Sequence, residues 1–322
     1  LIFFLSTNTF SEQLSNQDVD IASGSTVSND SGLTIQQLTG GPYTIENAGT
    51  IEASNITSNS STIRLEVDTT VTNSGLIDTA GSNNLNSILF INNSGSNSLT
   101  NSGTIQAETT GNYGQAITIE ETNLFEITNL SGGIIKVTDS ALNSVALRIT
   151  TGGSVNTITN NGTISAVGTT HSRGILSIST ATIDRLTNTG TISASGASNS
   201  NYGIVFWNNS GTSITNSGTI QGTGGSYGYG IRIGESGNIS FITNSGTIIG
   251  SKDGIANSNT ITSIINTGNI TGTSGYSIHN VEGSITNLTN SQNNLTLIGN
   301  VPTNYYVKVN SSSSYGKVSF TS

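Results

Sequence analysis

The sequence contains no cysteine and no methionine, and its 322 residues include only 2 prolines and 1 tryptophan. Without cysteine the chain has no disulfide framework and no thiolate metal site. Charged residues make up 8% of the chain, against roughly 25% in an average globular protein. No window of the sequence qualifies as a transmembrane helix. A disulfide-stapled scaffold and a cysteine-based metal protein are therefore excluded as classes.

The chain is also poor in basic residues, with 9 lysines and arginines against 18 acids and a net charge of −9. Proteins that bind nucleic acid cluster basic residues on one face of the molecule. The acids here are scattered singly, which favours solubility and no particular partner. We predict no nucleic-acid partner and no membrane span in this chain.

The first residues, "LIFFLSTNTFSEQ", are the most apolar part of the sequence, but the run from Leu1 to Leu5 is too short to span a membrane. Two interpretations of Leu1–Ser11 remain open. The segment is either the remnant of a secretory signal peptide or a mature N-terminus that covers one end of the fold. Both interpretations predict a protein that is exported from the cytoplasm.

The remaining sequence is dominated by one recurring phrase, "LTNSGTIQA" at Leu99–Ala107, which is rich in small polar residues. Its asparagine recurs at intervals of 21 to 31 residues. A period of this length indicates a solenoid, a propeller or another repeat array. The ten marker asparagines are Asn47, Asn73, Asn101, Asn129, Asn160, Asn188, Asn216, Asn244, Asn266 and Asn287.

Each repeat contains three short apolar stretches separated by glycine, asparagine and serine. In the repeat of Asn101 the first stretch contains Leu99, the second contains Ile105, and "QAITI" from Gln115 is the third. Three strands per repeat are typical of a β-helix, whose coils stack about 4.8 Å apart. A propeller blade has four strands and needs about 40 residues. We predict an all-β, right-handed, single-stranded parallel β-helix, or β-solenoid, of about ten coils of 21–31 residues.

The phrase itself predicts the geometry of a corner. The aliphatic residues two before and four after the asparagine point inward, as at Leu99 and Ile105. The stacked asparagines are expected to form a ladder of amide hydrogen bonds along the rod. The glycine two residues after each asparagine, such as Gly103, is expected to supply a positive φ angle.

The distribution of repeats predicts three regions. Residues 1–44 form an N-terminal extended segment and cap, 45–297 form the repeats, and 298–322 form a C-terminal β cap or assembly segment. Two segments, Gln106–Gly114 and Ser193–Gly203, are expected to lengthen one corner and emerge on one face. That face is the natural place for binding, because loops carry function on a rigid scaffold.

The third strand of successive repeats carries larger polar and aromatic residues. When these strands are aligned on their isoleucines, the residues two positions before the isoleucine form a column along the rod. Together with a nearby indole, the column is a possible binding face for sugar rings or a partner protein. The alternative is that the rings cover the loop bases and stabilise the sheet. The face comprises Arg173, Tyr202, Trp207, Tyr229 and Tyr276.

Catalytic residues are harder to find in this sequence. The two histidines, His171 and His279, lie on different coils and nominate no triad with a serine. No calcium-binding nonapeptide is present. Most of the acids are interpreted as solvated loop charges, so we predict no enzyme activity, no cofactor and no metal. The acidic candidates are Asp68 with Asp78, the run Glu120, Glu121 and Glu126, and the pair Asp184 and Arg185.

Ten copies of "[IL]TNxGTIxA/G", with "GIxI" between them, resemble the passenger regions of bacterial autotransporters and related β-helical surface adhesins. The segment "NYYVKVNSSSSYGKVSF" at Asn304–Phe320 resembles the stretch that follows such repeats. The resemblance implies a secreted, non-enzymatic structural or adhesion protein of the bacterial cell surface. It also implies glycans or other surface proteins as partners.

Two other functions remain open from the sequence. The chain could be the subunit of a head-to-tail extracellular filament or surface layer, which self-associates through the two ends of the rod. It could also be a polysaccharide-degrading β-helix enzyme that uses some of the acids named above.

Overall fold

The computed structural model describes residues 3–5, 9–10, 13–30, 32–57, 60–92, 95–139, 142–208, 211–311, 313 and 315–321. Every regular element within them is a β-strand, and the 37 strands form three sheets of 13, 11 and 13 strands. From β1 to β33 the chain passes through the first, second and third sheets in turn, and β34 to β37 alternate between the first and the third. Each circuit is one coil of a parallel β-solenoid, which confirms the predicted fold class.

The three sheets run along the rod, and the strands of each sheet follow one another in chain order. The first sheet contains β1 Phe3–Leu5, β4 Val19–Ile21, β7 Tyr43–Asn47, β10 Thr69–Asn73, β13 Asn97–Asn101, β16 Asn123–Asn129, β19 Ser154–Asn160, β22 Thr182–Asn188, β25 Thr212–Asn216, β28 Asn238–Asn244, β31 Thr260–Asn266, β34 Ser284–Asn290 and β36 Asn304–Val307. The second contains β2 Thr9–Phe10, β5 Thr26–Asn29, β8 Thr50–Ile56, β11 Leu76–Gly81, β14 Thr104–Thr109, β17 Ile134–Asp139, β20 Thr163–Gly168, β23 Thr191–Gly196, β26 Thr219–Thr223, β29 Thr247–Gly250 and β32 Asn269–Gly272. The third contains β3 Leu14–Ser15, β6 Ile35–Gln37, β9 Ser60–Leu65, β12 Leu85–Ile91, β15 Tyr113–Glu120, β18 Asn143–Thr150, β21 His171–Ser177, β24 Ser200–Phe206, β27 Tyr227–Ile233, β30 Asp253–Asn257, β33 Ile278–Asn280, β35 Leu295–Gly299 and β37 Val318–Thr321.

The repeated aliphatic residues form one continuous core along the axis of the rod. Leu99 of the first sheet, Ile105 of the second and Ile117 of the third are at most 1% exposed. Each stacks on its equivalent in the next coil, as Leu99 pairs with Ile127 in the β13–β16 register. Complete burial of such a side chain stabilises the fold by about 2 kcal/mol relative to exposure. The repeat period thus places apolar residues from all three sheets in the core, and some strands contribute two, as β15 does with Ile117 and Ile119.

Nine of the ten marker asparagines form a buried amide ladder at the corner between the first and second sheets. The Nδ2 atom of Asn101 donates to Oδ1 of Asn129 at 2.8 Å, and to the carbonyl oxygens of Gly103 at 3.1 Å and Ile134 at 3.3 Å. The same side-chain bond repeats between every pair of successive ladder residues. The ladder runs through Asn47, Asn73, Asn101, Asn129, Asn160, Asn188, Asn216, Asn244, Asn266 and Asn290.

The last position of this ladder is Asn290, so the assignment of Asn287 from the sequence is wrong. In β34 the sequence "SITNLTN" contains the dipeptide TN twice, and the register with β31 pairs Asn266 with Asn290 and Ile264 with Leu288. Leu288 is fully buried there, so the second dipeptide takes the corner. Asn287 is half-buried and accepts a hydrogen bond from Nδ2 of Asn304 at 3.0 Å.

The glycine that follows the ladder asparagine serves a different purpose from the one expected. Gly103 is not among the residues with a positive φ angle. A Cβ atom built on it would lie 2.1 Å from the carbonyl oxygen of Gly75 in the preceding coil. The corner therefore requires glycine because successive backbones approach too closely for any side chain.

The sheets extend beyond the repeats at both ends. Strands β4 to β6, within the region expected to be an N-terminal cap, pair in parallel with β7 to β9. Strands β36 and β37 continue the first and third sheets in the same way. Residues 1, 2, 6–8, 11 and 12 of the apolar N-terminus lie outside the described residues. The two corners expected to be long are mostly strand, with turns only at residues 110–112 and 197–199.

Candidate functional site

The outer face of the third sheet carries the residues that differ most from coil to coil. Each strand there presents two outward columns, on either side of a pair of buried positions. One column contains Val145, Arg173, Tyr202 and Tyr229 in register, and the other runs three residues further along each strand. The second column contains Arg64, Leu89, Thr118, Arg148, Leu176, Val205, Arg232, Ala256 and His279.

A groove of about 590 Å³ runs across this face, and apart from Leu33 its lining extends from β9 to the residue after β24. Three arginines, two aromatic residues and four side-chain amides line it, and the remaining lining residues are serine or aliphatic. The polar and aromatic residues of the lining are Arg64, Arg148, Arg173, Tyr113, Trp207, Asn84, Asn86, Gln115 and Asn143. Among the described residues that line the groove, none is acidic and none is histidine.

Arg148 and Arg173 lie on neighbouring strands of the groove and have few partners. The Nη1 atom of Arg173 reaches Oδ1 of Asn143 at 3.5 Å, while its Nε atom is buried without a hydrogen-bond partner. Arg148 has no hydrogen bond or ion pair within the described part of the chain, and the more distant charge of Glu120 only partly offsets the effect of burial on its pKa. Burial lowers the pKa of both guanidinium groups, and the charge of Arg148 lowers the pKa of Arg173 further. Two incompletely neutralised cations therefore face one groove.

Arg64, at the other end of the groove, already has a counter-ion. Its Nη2 and Nε atoms both lie 2.6 Å from Oε1 of Glu66. The two side chains are 37% and 24% exposed, so solvent screens this pair and it adds little to stability. Of the three arginines in the groove, Arg64 is therefore the least available to a ligand.

The predicted aromatic face is largely a closed stack. The rings of Tyr202 and Tyr229 are 5.4 Å apart and nearly parallel, and their side chains are only 7% and 8% exposed. The Cζ atom of Arg173 lies over the ring of Tyr202, 5.9 Å from its centroid. The Cζ atom of Arg232 lies 5.9 Å from the ring centroid of Tyr229 and 5.8 Å from that of Trp207. Such cation–π contacts contribute about 0.5–2 kcal/mol each. The two tyrosine rings thus contact mainly each other and the neighbouring arginines Arg173 and Arg232.

The far end of the predicted face is separate from the groove. The backbone N–H of Tyr276 donates to Oδ1 of Asp253 at 2.8 Å, and Oδ2 of Asp253 lies 3.2 Å from Nδ1 of His279. The contact between Oδ2 and Nδ1 lacks hydrogen-bond geometry. His279 lines a second, smaller cavity of about 190 Å³, which also contains Arg232 and Glu282. Tyr276 is therefore not part of the stack formed by Tyr202 and Tyr229.

His171 lies on the third sheet beside the groove, in register with Asn143 of β18 and Ser200 of β24. Its Nδ1 atom is buried without a hydrogen-bond partner among the described residues. Burial lowers the pKa of this histidine, and the charge of Arg173 lowers it further. Both effects favour the neutral form of the side chain.

The acidic catalytic candidates do not converge. Asp78 points outward from the second sheet, where burial raises its pKa, and Glu52 of the preceding coil is its neighbour in register. The run of three glutamates is divided between the third sheet, a corner and the first sheet, at Glu120, Glu121 and Glu126. Asp68 lies in a corner, and Asp184 and Arg185 are exposed on the first sheet. No group of three or more histidine, aspartate or glutamate residues in the described ranges could hold a metal ion.

The sequence pattern did contain a signal for the groove. Arg64, Arg148 and Arg232 all directly follow an inward isoleucine or leucine, and this regular position identifies the second outward column. Tyr113, which is 44% exposed in the groove, lies four residues before such an isoleucine. The alignment of these positions predicts a shared face, whereas the groove itself depends on side-chain sizes along both columns.

No helix among the described residues is long and apolar enough to cross a membrane. No protein-family model, no curated protein and no solved structure matches this chain.

Proposed function

We propose that this chain is a secreted, non-enzymatic binding protein of the bacterial cell surface, in which the solenoid is a structural rod and the third sheet carries the ligand. The groove on that sheet is the observation that supports this proposal. Its lining offers arginine, amide and aromatic groups, and the described residues of the lining include no carboxylate or histidine for acid–base chemistry. The autotransporter-like repeats are consistent with the proposed location.

A binding survey with matched variants tests the proposal. The purified chain would be applied to arrays of glycans, to matrix proteins and to intact cells. Leu89→Trp fills the groove, because Leu89 faces outward within it, and binding should be lost. Ile265→Trp is the control, since Ile265 is 39% exposed on the first sheet. Equal binding by both variants would place the ligand elsewhere and reject the proposal.

The enzymatic alternative is tested with the same ligands. Each polysaccharide that binds would be incubated with the chain and analysed for new reducing ends and for unsaturated sugar products. We expect neither product to form above the level with heat-denatured protein. Turnover that is abolished by Leu89→Trp and retained in Ile265→Trp would show an enzyme instead of a binding protein.

Filament formation is the second candidate function, and exposed apolar side chains on the last two strands favour it. Tyr306 in β36 is 52% exposed and Phe320 in β37 is 47% exposed. Parallel solenoids can stack through such strands in a head-to-tail manner. Electron microscopy of the concentrated chain distinguishes the candidates. Filaments that disappear in a Tyr306→Asp, Phe320→Asp double variant would support assembly, and short uniform rods would oppose it.

A further inference from the structure

The arginines of this acidic protein are concentrated on one face. The chain has a net charge of −9, and four of its five arginines are on the outer face of the third sheet. Three of them line the groove, and of these only Arg64 is paired with an acid, Glu66, which is not among the described lining residues. A local positive potential in a concave, partly desolvated site attracts anions more strongly than the same charges on an open surface. The charge pattern therefore indicates an anionic ligand.

Arg148 and Arg173 form the centre of this potential. They are on adjacent coils, which are about 5 Å apart, and in the two different outward columns, since Arg173 pairs with Val145, three residues before Arg148. The charge of Arg148 still reaches Arg173 and lowers its pKa. The buried Nε atom of Arg173 has no hydrogen-bond partner, and the stack of Tyr202 and Tyr229 fixes the orientation of its guanidinium group. An acidic group placed between the two arginines would be attracted by both charges and would offset part of their mutual repulsion. Charge-assisted hydrogen bonds to such a group are stronger than those between neutral groups.

The direction of the groove indicates an extended ligand. From β9 to Trp207, after β24, its lining crosses six neighbouring coils. At about 4.8 Å per coil its length is roughly 24 Å. Arg64 is in the same outward column as Arg148, three coils away, or about 14 Å. A linear chain along the rod axis could therefore present acidic groups to both ends of the groove.

The remaining lining residues distinguish among anionic polymers. Amides such as Asn86 and Gln115 both donate and accept hydrogen bonds, as closely spaced hydroxyl groups require. Tyr113 and Trp207 offer aromatic surface for the apolar faces of sugar rings. The backbone groups of this sheet are already paired between coils, so the groove cannot bind a peptide by adding a strand. Three arginines are also fewer than the 6–10 phosphate contacts that are common in DNA recognition.

We propose that the groove binds a linear acidic polysaccharide along the rod axis, with one carboxylate or sulfate group held jointly by Arg148 and Arg173. This inference rests on the proposed function, because it names the ligand class of the same groove. Arg64 contributes less, since Glu66 already neutralises it. Tyr113 and Trp207 contact the sugar rings on either side.

The test measures affinity for three immobilised polymers: polygalacturonate, which carries carboxylates, dextran sulfate, which carries sulfates, and neutral dextran. We expect binding to one or both acidic polymers, weaker binding at high salt, and none to dextran. Arg148→Gln should weaken affinity about tenfold or more, because hydrogen bonds to charged groups are lost. Arg64→Gln should cause a smaller loss than Arg148→Gln.

Arg185→Gln is the matched control, because it removes the same charge from an exposed site on the first sheet, and it should leave affinity unchanged. Arg148→Lys keeps the charge and should retain part of the affinity. This variant still tests the role of Arg148 if Arg148→Gln does not fold. Circular dichroism and the thermal midpoint verify the fold of each variant.

Four results would overturn the inference, and the last of them would also overturn the proposed function. Equal affinities of Arg148→Gln and Arg185→Gln would assign the binding to general charge effects. If polyglutamate or duplex DNA binds as tightly as the acidic polysaccharides, and with the same dependence on Arg148, the groove is a nonspecific anion site. The chain could also bind neutral glycans, with affinity that Leu89→Trp abolishes and Arg148→Gln leaves unchanged. That result would reject an acidic polysaccharide as the ligand and leave the proposed function intact. Binding to no glycan, matrix protein or cell would remove both.

Discussion

The Nδ2 atom of Asn101 donates a hydrogen bond to Oδ1 of Asn129, 2.8 Å away in the next coil, while Oδ1 of Asn101 accepts one from Asn73. All three side chains are fully buried. An interior asparagine of the ladder is therefore both donor and acceptor. Its removal leaves Oδ1 of Asn129 without its donor, and Nδ2 of Asn73 keeps only its longer bonds, at 3.2 Å, to the carbonyl oxygens of Gly75 and Thr104. A buried unsatisfied group costs about 1–3 kcal/mol.

Asn101→Ala should lower the free energy of unfolding by about 3 kcal/mol, since the buried Oδ1 atom of Asn129 loses its donor and Nδ2 of Asn73 loses its shortest hydrogen bond. The measurement is the urea midpoint, followed by circular dichroism. Asn287→Ala is the matched control and should change the free energy by less than about 1 kcal/mol, because Asn287 is half-buried and outside the ladder. A larger effect of Asn287→Ala than of Asn101→Ala would contradict the assignment of Asn290 to the ladder.

Gly103→Ala tests whether the corner glycine is required for close packing. Its Cβ atom would lie 2.1 Å from the carbonyl oxygen of Gly75, which the sheet holds in place. We expect a loss of about 3 kcal/mol or a failure to fold, both measurable by thermal unfolding. At Gly132 the φ angle is +86° and no atom lies within 4 Å of the position that a Cβ atom would take. Gly132→Ala should therefore cost only about 1 kcal/mol of backbone strain, and the reverse order would favour the conformational explanation.

The stacked Tyr229 should make the fold sensitive to alkaline pH. Burial raises the pKa of Tyr229 to about 12, and the charge of Asp253 contributes to the rise. In the unfolded chain a tyrosine loses its proton near pH 10, at about its ordinary pKa. The unfolded state therefore binds fewer protons between about pH 10 and 12, and the free energy of unfolding falls as the pH rises through this range.

Tyr229→Phe removes this ionisation and should reduce the fall of the urea midpoint between about pH 10 and 12. The control is Tyr306→Phe, because Tyr306 is 52% exposed and lies outside the stack. If the two variants and the unmodified chain lose stability equally with rising pH, the hydroxyl group of Tyr229 is not protected by the stack.

His171 should destabilise the fold in acid. Burial and the charge of Arg173 lower the pKa of this histidine below its ordinary value of 6.5. Below about pH 6.5 the unfolded chain therefore binds a proton that the folded chain resists, and the free energy of unfolding falls as the pH falls. An NMR titration of the imidazole resonances measures the midpoint directly. A midpoint at or above about 6.5 would contradict the prediction, and His171→Gln should reduce the acid sensitivity of the urea midpoint.

The parts of the fold that repeat could be predicted from the sequence, because each repeat obeys the same steric rule. Leu99, Asn101 and Ile105 recur at fixed spacing, and their burial and ladder contacts follow from that spacing. The assignment of Asn287 is wrong because β34 contains two TN dipeptides, and only its pairing with β31 selects Asn290. The local amino-acid sequence cannot distinguish two strand registers that both place aliphatic residues inward.

The site was less predictable for a related reason. The alignment identified the column of Arg173, Tyr202 and Tyr229, but not that neighbouring rings stack and leave less than a tenth of each tyrosine exposed. Arg64 and Arg148 are 84 residues apart in the sequence, yet they lie in the same column and are separated by only three coils. The groove that both residues line depends on side-chain volumes from six coils, which no single repeat contains.

The asparagine ladder has a direction, because every Nδ2 donates toward the C-terminal end and every Oδ1 faces the N-terminal end. Ten aligned amide dipoles in a buried environment polarise one another and add. The rod therefore has an electrical polarity as well as a chemical one, with an acceptor at the first residue and a donor at the last. A break in the middle divides one long dipole into two short ones, so interior ladder residues should matter more to cooperativity than those at either end.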